Sequence, residues 1–177
     1  MRALMPTRVI PVAIVLLTLI NISHVRPAAA QERPRPAAEL ALGALMFADD
    51  GVVNEGFAGG AARFYLSPRV ALGPEVAFIN AEHHSHQMLT GNVTFDLIAP
   101  ANGQPRPITP FLVVGGGLFR TREAFFSGPF ASSDPAFTAG GGVRASAGKY
   151  VFAGAEARIG WELHIRVNGL VGVRFGE

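Results

Sequence analysis

The chain contains no cysteine and one lysine, Lys149, among its 177 residues. The missing cysteines exclude disulfides and thiolate metal sites. The near-absence of lysine argues against the lysine-rich face that many water-soluble domains present. Tryptophan is also scarce, at one residue, and no stretch after residue 30 carries an apolar stripe with helical period. Long apolar runs are limited to the N-terminus, where residues 9–22 are almost wholly apolar. That run is about 14 residues, and a spanning helix needs roughly 20. Arg2 and Arg8 precede or open it, and Pro27-Ala28-Ala29-Ala30 supplies small residues of the kind a signal peptidase cleaves. Residues 1–30 are therefore expected to be a signal peptide. Their removal takes Arg2, Arg8 and Arg26, shifting the balance from 15 basic against 13 acidic residues to 12 against 13. The basic character of the whole chain is then no sign of a nucleic-acid partner, and none is expected.

What is present is glycine, 21 residues, all after position 30, and an alternation of period two. Residues 31–37 hold two prolines and read as a short extended linker. Residues 38–177 read as one domain. In residues 150–161, Val151, Ala153, Ala155, Ala157, Ile159 and Trp161 form one face, and Glu156 and Arg158 lie on the other. In residues 164–175, Ile165, Val167, Val171, Val173 and Phe175 oppose His164, Arg166, Asn168 and Arg174. A helix would scatter these charges around its circumference, so both segments are predicted strands. Weaker alternation predicts strands at residues 39–47, 57–66, 70–78, 89–97 and 137–146. Residues 108–120 make an eighth strand that is apolar on both faces, so its register stays open. Tight turns at Ser67-Pro68-Arg69 and Gly148-Lys149, and a turn-rich link over residues 100–107, alternate with longer loops predicted at residues 49–56, 80–86 and 122–135. The last hairpin departs from this rule, turning tightly at Glu162-Leu163.

Nine charges fall mid-strand on the polar faces: Glu39, Arg63, Glu75, Asp96, Arg144, Glu156, Arg158, Arg166 and Arg174. Both signs occur, and the cations are all arginine, which pairs with carboxylates in planar, multidentate fashion. In a barrel of eight strands the lumen is just wide enough for side chains. The charges are expected to interlock there as an interior polar network, with the apolar faces against outer-membrane lipid. The prediction is an all-β, eight-stranded antiparallel up-and-down transmembrane β-barrel in the outer membrane, without an open pore. For the last hairpin, like faces match if paired residue numbers sum to 324, which sets Arg158 against Arg166. A carboxylate, Glu156 or Glu39, is then expected to bridge the two.

The run Phe137-Thr-Ala-Gly-Gly-Gly-Val-Arg144, the segment from Val151 to Trp161 and the ending Gly172-Val-Arg-Phe175 resemble the C-terminal half of small OmpA-like outer-membrane β-barrel domains. The segment Pro110-Phe-Leu-Val-Val-Gly-Gly-Gly-Leu118 resembles a central strand of that group. The resemblance implies insertion by the barrel-assembly machinery, which reads an aromatic near the C-terminus; Phe175 occupies that place, followed by Gly176-Glu177. It carries no catalytic signature and implies no cofactor; a partner for the outer loops stays unknown.

Three other readings attach to specific residues. His83, His84 and His86 with Glu82 form a polar cluster that could hold a transition metal through imidazole. His83-x-Ser85 resembles the pair that some outer-membrane lipid A deacylases use, with Glu75 as the group orienting the base. A water-soluble periplasmic carrier, lipocalin-like, would instead enclose an apolar cavity. The glycine triplets 115–117 and 140–142 lack the Lys-Ser/Thr of a phosphate loop and read as strand residues. The segment Phe125-Phe126-Ser-Gly-Pro-Phe130 reads as an apolar loop tip folding over the barrel mouth. The sequence thus points to a non-catalytic protein with a structural or surface-interaction role.

Overall fold

The computed structural model describes residues 34–47, 53–80, 84–101, 104–125, 128–160 and 164–176; the expected signal peptide lies outside them. Eight strands run in chain order: β1 (Ala37–Phe47), β2 (Val53–Tyr65), β3 (Val70–Asn80), β4 (His84–Asp96), β5 (Ile108–Phe125), β6 (Gly128–Ala147), β7 (Val151–Gly160) and β8 (His164–Arg174). Each pairs antiparallel with the next, and β8 closes on β1, giving a barrel with no free edge. The closing seam runs from Ala37 against Arg174 to Phe47 against His164. At the end that holds both strand termini, the Phe175 amide donates to the Pro36 carbonyl at 2.9 Å. The turn between β6 and β7 needs a left-handed residue, and Gly148 supplies it with φ 78°.

The strands sort side chains opposite to a water-soluble domain. Leu40, Leu42, Leu89, Leu112, Leu118, Phe137, Ile159 and Val171 are exposed, whereas Glu39, Arg63, Glu75, Asp96, Arg144, Glu156, Arg158 and Arg166 are buried. Charged residues are almost never fully buried unless paired, so the lumen must supply their partners. On β5 the open register resolves with Phe111 and Val113 inward and Leu112 and Val114 outward. Room for the Phe111 ring comes from the neighbouring strand, where Gly142 faces it. A Cβ at Gly142 would stand 2.9 Å from the ring.

Two expectations are corrected. The segments read as long loops are mostly strand: β2 begins at Val53, β4 at His84, and β5 and β6 extend to Phe125 and from Gly128. Glu55 and His86 are consequently buried strand residues. The second correction concerns the lumen, which is not polar throughout. Leu45, Phe57, Ala77, Ile79, Met88, Phe119 and Ala136 form an apolar cluster in the half far from the termini. A smaller one, with Ala37, Phe111, Val113, Phe152 and Leu170, lies nearer them. The turn at Glu162-Leu163 and residues 126–127 of the expected tip lie outside what the structure describes; Phe125 and residues 128–130 belong to the backbone of β5 and β6 and not to a loop.

Candidate functional site: a closed ionic lumen

The charged interior residues come from seven different strands, all but β5, and closure of the sheet brings them together. The last hairpin sets Arg158 directly against Arg166 and Glu156 against Asn168. Two guanidiniums side by side on a ladder repel unless carboxylates intervene. Two do. Glu156 accepts from Arg158 Nε at 2.7 Å and from Arg166 Nη2 at 2.9 Å. Glu75 reaches across the lumen from β3 and accepts from Arg158 Nη2 at 2.8 Å and Arg166 Nη1 at 2.6 Å. Asn92 completes this group, donating to Glu75 at 3.1 Å and accepting from Arg158 at 3.2 Å.

A second group lies nearer the termini. Glu39 pairs with Arg63 at 2.6 Å and with Arg144 Nε at 3.3 Å. Arg144 also pairs with Asp96 at 2.9 Å, and Asp96 accepts from the Tyr65 hydroxyl at 2.9 Å. Arg63 further contacts the Thr94 hydroxyl and lies 4.0 Å from Glu156, which links the two groups. Glu39 thus serves Arg63 and Arg144, not the Arg158–Arg166 pair. Arg174 stands apart: it is half-buried and donates to the Ser146 hydroxyl at 3.0 Å.

Aromatic rings support the guanidinium planes. Arg144 lies 4.0 Å from the Phe111 ring centre, Arg166 4.4 Å from Phe57 and Arg174 4.6 Å from Phe152. Stacked cations of this kind are stabilised further when water is excluded. The free space left among these groups is small. A void of about 10 Å³ lies between Glu39, Phe57, Arg63, Glu75, Glu156 and Arg166, room for about one water molecule. Among these described groups there is no space for the apolar ligand of a lipocalin-like carrier.

Among the described residues no three metal-ligating side chains come together. His83 lies outside those residues, and of His84 only the backbone is described. His86 is not in an exposed loop; its ring stacks on Phe119 with centroids 4.9 Å apart. Its Nδ1 lies 3.0 Å from the Thr121 hydroxyl, and its Nε2 3.8 Å from Glu55. The deacylase arrangement loses its orienting group. Glu75 is bound to two arginines inside the lumen, and Ser85 pairs with Asn80, five residues further along β3 and on the outward face.

Tyr65, Asn92, Thr94 and the three phenylalanines were not singled out as network members from sequence. Period-two parity puts Asn92 and Thr94 on the same face as Asp96, so that signal was available. The partnership of Glu75 with Arg158 and Arg166 spans the lumen and has no local signature.

No protein-family model and no curated protein matches the chain. Solved structures do. The N-terminal β-barrel domain of Pseudomonas aeruginosa OprF matches with TM-score 0.66 and 14% identity, over 81% of this chain and 100% of that one. Neisserial surface protein A matches with TM-score 0.64 and 12% identity, over 79% and 96%. Ail, the attachment invasion locus protein of Yersinia pestis, matches with TM-score 0.55 and 9% identity, over 81% and 99%. The shared feature is the fold, an eight-stranded closed antiparallel barrel resembling these small outer-membrane barrels.

Proposed function

We propose that the chain is an integral outer-membrane protein whose barrel is a closed, non-catalytic scaffold for the strand ends and connections it carries outside the bilayer. One observation carries this reading: Leu40 and Leu42 are 67% and 70% exposed, whereas Glu39, next to Leu40 and on the opposite face of β1, is 6% exposed. In water that arrangement is costly twice over, through uncovered apolar area and through buried charge. In lipid the first cost disappears. The closed hydrogen-bonded ladder meets the requirement that no backbone group face hydrocarbon unpaired. Insertion by the barrel-assembly machinery, and lipid contact around the wall, belong to the same proposal.

The scaffold reading is tested by fractionation. Carbonate-washed membranes from cells expressing the full chain are expected to retain it in the pellet. Release into the supernatant would overturn membrane integration. A second measurement concerns the lumen. Four carboxylates (Glu39, Glu75, Asp96, Glu156) interlock with four guanidiniums (Arg63, Arg144, Arg158, Arg166), and apolar clusters flank them. Planar-bilayer recordings of refolded protein are expected to show no stable conductance, and large, long-lived openings would contradict the packed lumen.

A further inference from the structure

The outward face of the barrel is not uniformly apolar, and its one cationic exception among the described strand residues sits at a defined height. On β5 the outward residues are Ile108, Leu112, Val114 and Leu118, followed by Arg120 and Arg122. At about 3.4 Å per residue the stretch from Ile108 to Leu118 is about 34 Å long. Tilted as barrel strands are, it covers about 25 Å along the membrane normal, the height of the apolar band of such barrels. Arg120 therefore emerges at the edge of the hydrocarbon, on the side away from the termini.

The neighbouring strands turn polar in the same rows. Arg120 pairs with Gln87 on β4 and Ser133 on β6, and Arg122 pairs with Ser85 and Ala131. Directly below, Leu89 and Leu118 pair and are 58% and 59% exposed, and one outward row further down Phe137 is 56% exposed. The opposite wall differs: the outward residues near the ends of β7 and β8 are Ile159 and Ile165. Both arginines are exposed, and among the described residues neither has a carboxylate within ion-pair distance. The lumen treats its arginines differently, giving Arg63, Arg144, Arg158 and Arg166 each at least one carboxylate.

We propose that Arg120 and Arg122, with the polar side chains of Ser85, Gln87 and Ser133 around them, bind the phosphate groups of an outer-leaflet glycolipid, whose acyl chains lie along Leu89, Leu118 and Phe137. This inference rests on the membrane reading above. Arginine offers a planar fork of donors that matches phosphate oxygens. Two of them two residues apart on one face are about 7 Å apart along the strand, close enough to share one phosphate or to hold two. The short connections after β2 and β6 lie at the end where β1 starts and β8 ends; in outer-membrane barrels short turns are periplasmic, so Arg120 and Arg122 stand on the outer side, at the height of phosphorylated glycolipid. The apolar surface below supplies the part of the site that a soluble phosphate compound would leave empty.

The test uses the full-length chain refolded into phosphatidylethanolamine vesicles, with insertion scored by the heat-sensitive mobility of the folded band. Vesicles are doped with bisphosphorylated lipid A or with its dephosphorylated form, and lipid retained on the extracted protein is counted by native mass spectrometry. Wild type is expected to retain the phosphorylated form at least about tenfold better, as the loss of charge-assisted hydrogen bonds implies. The Arg120→Gln/Arg122→Gln variant is expected to lose that preference, Arg120→Lys/Arg122→Lys to keep part of it, and Arg69→Gln at the other end to keep all of it. Equal retention of the two lipids by wild type would overturn the site, and that comparison needs no variant to fold. A preference surviving in the double glutamine variant would overturn the assignment to these two residues. Wild type that never inserts would overturn the membrane reading and this inference together.

Discussion

Glu156→Ala is expected to lower the unfolding free energy by about 3–5 kcal/mol, read from urea titration of the folded band in lipid vesicles. The carboxylate is buried and accepts hydrogen bonds from both Arg158 and Arg166. Its removal leaves those two guanidiniums, paired directly across the ladder, with Glu75 as their main remaining counter-charge. Repulsion across the ladder and desolvation of an under-compensated cation then act together. The deleted side chain also makes room for water beside the existing void, which places the loss toward the lower end of the range. Glu156→Gln keeps the shape and some acceptor capacity, so its effect should be intermediate. Arg69→Ala, exposed in the turn between β2 and β3, should change stability by less than about 0.5 kcal/mol. Glu75→Ala should resemble Glu156→Ala. Because both carboxylates serve the same two arginines, the double variant should depart from additivity. Equal effects of Glu156→Ala and Arg69→Ala would remove the network from the account of stability.

The interior network has a cost that explains its composition. Replacing a complete buried ion cluster with well-packed apolar residues is often neutral or stabilising, whereas removing one partner is not. Ion pairs in this lumen are therefore weak evidence for stability in themselves. Their value lies in register: a one-residue slip of β7 or β8 turns Glu156, Arg158 and Arg166 out toward lipid, and brings Val167 and Ala157 into the lumen. A one-residue slip in either direction leaves these charges without the partners that the observed pairing gives them. The phenylalanines beneath the guanidiniums add to this selection, because Phe57, Phe111 and Phe152 are buried against Arg166, Arg144 and Arg174.

Strands were legible where the outward face is apolar and the lumen face is charged, because that contrast writes a period of two into the residues. The alternation of β7 and β8 shows it most clearly, and the eight-stranded count follows from it. The signal fails in two places for different reasons. On β5, Phe111 and Val113 point into an apolar part of the lumen while Leu112 and Val114 point outward, so both faces are apolar and parity is lost. Near the ends of β4 and β5 away from the termini, outward residues such as Ser85, Gln87, Arg120 and Arg122 are polar. With polar residues on both faces these stretches resemble loops, which is why His86 was misplaced there. The face occupied by each of the nine mid-strand charges followed from parity, and eight of them lie buried. Their partners did not follow, since contacts from β3 to β7 and β8 depend on the curvature of the closed sheet.

Val114→Arg separates a lipid-facing wall from a water-facing one. Val114 points outward, is 48% exposed, and sits near the middle of the apolar stretch of β5 between Val93 and Ala139. In a water-soluble barrel an arginine at so open a position would change stability by less than about 0.5 kcal/mol, and it would improve solubility. In a bilayer the same side chain must carry its charge to the midplane of the hydrocarbon or bend the lipid around itself, at a cost of about 2–4 kcal/mol. Ser133→Arg provides the internal comparison, because Ser133 faces outward beside Arg120 at the edge of the band, where the cost falls to about 0–1 kcal/mol. Both variants leave the lumen untouched, so neither disturbs the ion pairs that dominate the effect of Glu156→Ala. The two should therefore unfold at clearly different urea concentrations in vesicles and at nearly the same one in micelles thin enough for the arginine to reach water. Near-zero effects at both positions in vesicles would mean that Leu112, Val114 and Leu118 do not face hydrocarbon, whatever their exposure.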